Sequence, residues 1–382
     1  MSNLKDLNFN CTGCCACKNI CPRKAIKIEL NKEGFYQYII DKNKCINCGL
    51  CIKVCPKISF INSNSKDKIK SYSAYSKDKK VLATSSSGGI FYHLAKKILD
   101  NGGMVAAVIF ENNTAKHVLI DSISDLSKMQ GSKYIQSYPG NIYNEIKKNI
   151  KSKKILFVGT PCQCAAIRKI IDNSNLIVVD LVCHGVPSKI TFDNSLKYRF
   201  NRRINNVNFR LKDKSWTNFS LGYFNDNKIV SKHKHYNDEW FMAYLKNLFL
   251  MKSCYDCNFN TIPRVGDITL ADAWGIGQID KEFFKDNKDN GVSLVIINNL
   301  TGSNLFDSIK NKIIYKKQDL LNFRKYNPRI FNGKYNDIVF LNRNKNINSL
   351  LKEGFKGNKY KKKTKDKIIN KIKEIVKFII RK

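Results

Sequence analysis

No run of 18 apolar residues occurs in this 382-residue chain, which argues against a transmembrane helix. The opening "MSNLKDLNFN" lacks the apolar core of a signal peptide, which argues against export. Missing too are a G-x-G-x-x-G after a strand, a G-x-S-x-G and a Walker sequence. A Rossmann nicotinamide site, a serine-hydrolase elbow and a P-loop are therefore unsupported. Acids are scarce as well: 31 Asp+Glu face 68 Lys+Arg, for a formal charge of +37.

That charge suits nucleic acid, an anionic membrane or an acidic protein partner. The bland reading is drift towards Lys, Asn and Ile, as an AT-biased genome produces. The basic residues are spread along the chain without an RNA- or DNA-binding motif, so nucleic acid is the weakest of the three. An apolar fraction of 43% is ordinary for a globular protein, and the length allows two or three domains. Fourteen cysteines in a chain without an export signal point to metal or redox chemistry more than to disulfides. The cytosol is the expected compartment.

Cys11, Cys14, Cys17 and Cys21 are spaced C-x2-C-x2-C-x3-C and followed by Pro22; Cys45, Cys48, Cys51 and Cys55, followed by Pro56, repeat the pattern. This is the bacterial ferredoxin run for [4Fe–4S] clusters, in which the fourth cysteine ligates the other cluster. The expected assignment is crossed. Cys11, Cys14, Cys17 and Cys55 form one set; Cys45, Cys48, Cys51 and Cys21 form the other. Zinc is the rival, but three thiols at two-residue gaps do not suit one tetrahedron. "AIKIEL" and "FYQYIID" read as short strands between the copies. Cys15 fits neither set and reads as a packed bystander, with a redox-sensitive thiol as the alternative.

A polar linker, "INSNSKDKIKS", separates residues 1–60 from the rest. The Ser/Gly segment Ser85 to Gly89 then opens an apolar helix, and such a start suits either an anion or ordinary capping. "MVAAVIF" and "HVLID" read as strands. Ile155–Val158 and Leu176–Val182 read as buried parallel strands joined by a helix, with Cys162 and Cys183 just past their carboxyl ends. That edge is where open α/β sheets bind ligands. Cys254 and Cys257 of "CYDC" follow the helical pattern "EWFMAYLKNLFL". Four such thiols are enough for a third cubane; buried cysteines or half a zinc site are the alternatives. Cys164 is expected to face into its helix as a non-ligand. His184, beside Cys183, is the histidine in a cysteine-rich context; the others suit packing or surface roles.

Six ordered segments now resemble a known family: "SSSGGIF", "GSKYIQS", "GTPCQ", "DLVCHGVPS", "CYDCNF" and "GDITLADAWGI". It is the beta subunit family of coenzyme F420 hydrogenases and dehydrogenases, in the version with an N-terminal ferredoxin domain. The resemblance implies FAD beside a third [4Fe–4S] cluster on Cys162, Cys183, Cys254 and Cys257. It makes Ser86, Ser87, Gly88, Gly89, Gly131, Ser132, Lys133, Tyr134 and Thr160 candidates for the flavin, its phosphates or a substrate. Lys133 is the candidate cation, and His184 and Lys133 are the catalytic candidates. Ala273 and Ala271 stand where relatives commonly carry a larger side chain and glycine, beside Trp274. Family members act on different molecules, so coenzyme F420 is one substrate among several that the resemblance allows.

The expected fold is α+β: a 2[4Fe–4S] domain over 1–60, a flavin and iron–sulfur domain in two parts, 70–150 and 151–345, and a basic tail over 346–382. Clusters pass single electrons, whereas a flavin collects two and delivers a hydride. The expected function is an oxidoreductase that takes electrons from a ferredoxin or another redox protein to an organic substrate, or runs in reverse. The alternative is an electron-transfer subunit with no substrate of its own. In the tail, Ile368, Ile372, Ile375 and Ile379 share one face of a basic amphipathic pattern. Packing against the body is favoured there over peripheral membrane contact.

Overall fold

The computed structural model describes residues 3–4 and 9–335, so the tail over 346–382 lies outside the described residues. The N-terminal region is built on a hairpin of β1 (Ile26–Leu30) and β2 (Tyr36–Ile40), antiparallel with Ile26 opposite Ile40. Its turn is set by Asn31, whose side-chain oxygen accepts the Glu33 and Phe35 N–H groups at 3.0 and 2.9 Å. Short helices Ala16–Ile20, Leu50–Lys53 and Pro56–Ser59 carry the cysteine loops. The two copies match at the backbone as well as in spacing. Gly13 and Asn47, before the second cysteine of each run, have φ of 66° and 54°; Cys15 and Gly49, just after it, have 63° and 72°.

The larger region is a mixed eight-stranded sheet. Its strands in chain order are β3 (Lys70–Ser76), β4 (Met104–Glu111), β5 (Thr114–Ile120), β6 (Ile155–Gly159) and β7 (Leu176–Leu181), then β11 (Ile268–Asp272), β12 (Ser293–Ile297) and β13 (Ile313–Gln318). Between β7 and β11 a separate three-stranded antiparallel sheet forms from β8 (Asn206–Leu211), β9 (Ser220–Asn225) and β10 (Lys228–Lys234). Across the large sheet the order is β13-β3-β12-β11-β7-β6-β4-β5. The central β4, β6, β7 and β11 are parallel, and the outer pairings are antiparallel. The expected β6–helix–β7 crossover is present, with helix Pro161–Ile170 between the strands. β6 and β12 are buried throughout, the mark of strands covered on both faces.

Two readings differ in detail. The pattern 239–250 yields a helix only over Glu239–Leu245, because Asn247 turns left-handed with φ 63° and the chain leaves the helix. The polar stretch after residue 60 is laced to the body: Asn62 and Asn64 donate to the carbonyls of Pro263, Arg264 and Gly266 at 2.8–3.1 Å. The N-terminal region also shares a core with the sheet. Cys14, Cys15, Ala16 and Val54 pack with Tyr143, Phe157, Cys164 and Ile167. Around it, Tyr143 OH donates to the Cys14 carbonyl (2.8 Å), Asn19 to the Gly140 carbonyl (2.9 Å) and the Lys189 N–H to the Gly34 carbonyl (2.9 Å).

Candidate metal centres

Cys11, Cys14, Cys17 and Cys55 come together on the inner side of the N-terminal region. Burial pushes the Cys11 thiol up to about 12, and the neighbouring Cys14 and Cys55 add to the rise. Cys17 is raised well above its ordinary range by burial, then by Cys14, Cys11, Cys15 and Cys55. Burial likewise takes Cys55 to about 11, with Cys14 the first neighbour to contribute. The four thiols of the crossed set thus lie near one another, with Cys15 beside Cys17 and Cys51 beside Cys55 as well. Buried thiols keep their protons until a metal stabilises the thiolates, so iron would offset the cost of gathering them.

The second set surrounds a cleft at the outer side, lined by Cys21, Cys45, Cys48 and Cys51 together with Pro22, Arg23, Ile26, Ile40 and Ile46. Cys48 is exposed, whereas Cys14 of the first set is buried. Backbone N–H groups already point at sulfur in both sets: Gly13 donates to Cys11 Sγ and Ala25 to Cys21 Sγ, each at 3.3 Å. Such bonds are the protein's usual means of tuning a cluster. Among the described residues no three His, Cys, Asp or Glu groups close on a single ion. A cubane takes four cysteines, one around each corner, and so fits a wider cage.

A third set forms at the carboxyl edge of the parallel strands. Cys162 lies in the first turn of the helix after β6, and Cys183 lies two residues past β7. Cys254 sits in helix Lys252–Tyr255, and Cys257 is held by its N–H to the Gly333 carbonyl (3.1 Å). Burial raises Cys162 well above its usual range, followed by Cys257, Cys14 and Cys183. Burial and then Cys257 take Cys183 to about 11; burial and then Cys183 take Cys254 to about 12. The four scattered thiols therefore lie near one another, and Cys162 and Cys257 pack against the core that holds Cys14 of the inner N-terminal set.

Residues that sequence reasoning missed hold this cage. Arg264 and Asp180 form an ion pair with both side chains fully buried, and Asp180 also accepts from Thr269 Oγ1 (2.5 Å) and the Gly266 N–H (3.2 Å). Asn260 donates to the Cys183 carbonyl at 2.9 Å, and Arg329 to the Cys254 carbonyl at 3.1 Å. The Arg329 guanidinium also lowers the pKa of Cys183 and Cys254 against their burial. Only the charge inside the otherwise apolar "LIVVDLV" could have pointed to Asp180. Cys164 is fully buried and donates towards the Gly159 and Val179 carbonyls, turned away from the cage. Cys15 is buried and donates towards the Gly13 carbonyl.

The serine–glycine loop and the segment after Gln130 do meet. Ser86 Oγ accepts from the Ser132 N–H and hydroxyl at 2.6 and 2.9 Å, and Gln130 donates to Thr84 and Ser85. Ser87 Oγ donates to the Val292 carbonyl, the Gly88 N–H donates to Ser293, and Gly89 caps helix Ile90–Asp100. Gly131 turns with φ 80°. Tyr134 OH accepts from Arg210 (3.0 Å), which also donates to the Ser86 carbonyl and pairs with Asp272 at 3.2 Å. Trp216 donates to Asp272 and stacks on Trp274 at 4.7 Å. Ala273 is fully buried, and Ala271 packs in the same cluster. Arg210, missed at the sequence level, was visible only as a cation inside the strand pattern "VNFRL".

The other candidates have other partners. Lys133 Nζ donates to the carbonyls of Met129 and Gln130 at 2.7 and 2.8 Å, closing a helix end, and burial lowers its pKa to about 7. Thr160 caps the helix that carries Cys162 and lies 3.3 Å from its sulfur, so it belongs with the third cysteine set. His184 uses both ring nitrogens, Nε2 on the Tyr244 carbonyl (3.3 Å) and Nδ1 on Tyr335 OH (3.1 Å); burial lowers its pKa to about 4.

Known proteins resemble the chain in the same regions. Residues 152–321 match the pattern for the C terminus of the coenzyme F420 hydrogenase/dehydrogenase beta subunit, and 71–141 that for its N-terminal part. Residues 10–58 match a 4Fe–4S dicluster domain. One F420H2 dehydrogenase subunit, from Methanosarcina mazei, is 28% identical over 45% of this chain and 53% of its own length. The coenzyme F420-dependent sulfite reductase of Methanocaldococcus jannaschii is 26% identical over 42% of this chain and 25% of its own. The chain thus spans about half the length of the first of these relatives and a quarter of the second. A chain of the F420-reducing [NiFe] hydrogenase complex from Methanosarcina barkeri aligns with 17% identity and a TM-score of 0.49, covering 72% of this chain and 90% of that one. Among the described residues no helix is long and apolar enough to cross a membrane. The two halves of one family pattern and the dicluster domain before them lie in order along the sequence: the chain belongs to the coenzyme F420 hydrogenase/dehydrogenase beta subunit family and carries an N-terminal iron–sulfur domain of the 4Fe–4S dicluster type.

Proposed function

We propose that the chain is an iron–sulfur flavoprotein subunit linking a one-electron carrier to a two-electron reaction. The observation that carries this reading is the succession of three groups of neighbouring cysteines, with Cys162 and Cys257 of the third packed against the core that holds Cys14 of the inner one. In this reading Cys45, Cys48, Cys51 and Cys21 hold the outer cluster, and Cys11, Cys14, Cys17 and Cys55 the inner one. Cys162, Cys183, Cys254 and Cys257 hold the third. Tyr143 spans the junction, fully buried and hydrogen-bonded to Cys14, and excludes water between the inner and third sets.

FAD would be held by Ser86, Ser87, Gly88, Gly89, Gly131, Ser132 and Tyr134. Support comes from the bonds joining these two loops and from Arg210, whose buried Nε has no hydrogen-bond partner among the described residues. A donor left bare in a buried site is costly unless a ligand meets it. The flavin would supply the two-electron, hydride-competent step. Arg210, fixed by Asp272 and Tyr134, would hold negative charge there, while the Trp216–Trp274 stack keeps water from one side. Lys133 and His184, engaged as they are, serve to hold the surrounding loops.

The two-electron partner is coenzyme F420 or another organic molecule, and the one-electron partner a ferredoxin-like protein. A second reading, a subunit that relays electrons inside a larger assembly without its own substrate, is supported by the description of the Methanosarcina mazei relative as one subunit of a dehydrogenase. Anaerobic purification with iron, sulfide and flavin counts tests both. About twelve irons and one FAD per chain are expected, at four irons per cubane. About eight irons would remove the third cluster; no flavin after reconstitution with FAD would sink the flavoprotein reading and leave the relay.

A further inference from the structure

We infer that the outer face of the N-terminal region, around the Cys45–Cys48 loop, is the docking surface for an acidic electron-carrier protein. The inference rests on the reading of this region as the electron inlet, and it names the face and the charges that act there. Two turns meet on that face. The Asp41 N–H donates to the Ala25 carbonyl at 2.8 Å, which sets the 22–24 turn beside the 41–45 turn. Arg23, Lys24, Lys42 and Lys44 are all exposed on these turns. Among the described residues only Lys44 of the four has an ion-pair partner, Asp41 at 3.8 Å.

Ile46 shares the wall of the outer cleft with Arg23, two residues from Lys44 and next to Cys45, with 59% of its surface exposed. A large exposed apolar side chain beside cations, in the same cleft wall as the exposed Cys48, is the pattern of a small contact patch with electrostatic steering. Residues 1–60 carry ten Lys+Arg against four Asp+Glu. The complementary surface is negative with an apolar contact for Ile46, and it lies over the outer cysteines, which favours an acidic electron carrier over a nucleic acid or a lipid layer. The inner copy of the motif has no such surface, since Gly13 is pressed against Gln136 and Tyr36.

The test is binding of a purified acidic bacterial ferredoxin to the full chain, followed by calorimetry at low and high salt. The variant carries Lys24→Glu, Lys42→Glu and Lys44→Glu; the control carries Lys147→Glu, Lys148→Glu and Lys151→Glu, with the same change in net charge on another exposed surface. Expected is a loss of affinity of about tenfold or more for the first at low salt, a flattened salt dependence, and less than about threefold for the control. Ile46→Ala should weaken binding by a similar factor at both salts. Equal losses in both triple variants, no loss in the first, or no binding by the wild type would overturn the docking surface. So would binding of phosphatidylglycerol vesicles that the first triple abolishes while ferredoxin binding persists. Iron content is measured alongside: a wild type without iron in the outer set sinks the inlet reading instead. If the first triple loses iron, Lys42→Glu alone and its salt slope decide.

Discussion

The two copies of the cysteine run share spacing, left-handed turns and a closing proline, yet one faces the protein and the other faces water. In the inner copy Gly13 has no room for a side chain: a Cβ would lie 2.4 Å from Gln136 and 2.5 Å from the Tyr36 carbonyl. In the outer copy a Cβ on Gly49 meets nothing within 4 Å. The same local grammar therefore sits in two settings, an inner run packed against the sheet and an outer one open to solvent. Spacing dictates what a segment can bind; its packing dictates what that binding is for.

The largest way to break the comparison is to take the metal out. The small core beneath the hairpin consists of Leu4, Cys17, Ile26, Cys51 and Cys55, so three of its five buried residues are cysteines. Stripping iron with an anaerobic chelator should expose the amides of residues 10–58 to hydrogen exchange, while β6, β7 and β12 stay protected. Uniform exchange across both regions would show that they fold as one unit.

Next in size is the ion pair behind the third cage. Arg264→Leu leaves the Asp180 carboxylate buried without its cation, a loss of about 3–5 kcal/mol. Denaturant unfolding should read that loss in the sheet region, with iron in the third set falling further than iron in the N-terminal sets. Smaller again is the contrast between the twin motifs. Gly13→Ala should cost about 2–4 kcal/mol, from the left-handed backbone and the overlap together. Gly49→Ala should cost about 1–2 kcal/mol, from the backbone alone. Thermal melts of the iron-loaded proteins compare them, and equal shifts would mean that the inner copy is not clamped. Of a size with Gly49→Ala is Tyr143→Phe, which removes one buried hydrogen bond to Cys14 and leaves its carbonyl unpaired, about 1–2 kcal/mol. Its iron content should match the wild type while exchange at residues 13–16 quickens.

How much of this was legible depended on whether the information was local. The hairpin and the two cysteine runs beside it could be read from spacing, because three of the thiols expected in each set lie within seven consecutive residues. The β6–helix–β7 unit was legible from its apolar run and turn residues. The third set was only half legible: sheet topology places Cys162 and Cys183 at one edge, but nothing local ties them to Cys254 and Cys257. Asp180, Arg264, Arg210 and Arg329 were out of reach because a buried charge is recognised by its partner, and each partner lies tens of residues away. The end of helix Glu239–Leu245 was missed because the apolar period runs on past Asn247, where the backbone turns left-handed.

The central claim is that four scattered cysteines at the carboxyl edge of the sheet form a third cluster site continuous with the inner N-terminal one. Iron and sulfide counts on the anaerobic wild type and on Cys183→Ser test it most directly. The account predicts about twelve irons in the wild type and about eight in the variant, the N-terminal clusters remaining. About eight irons in both proteins would contradict it.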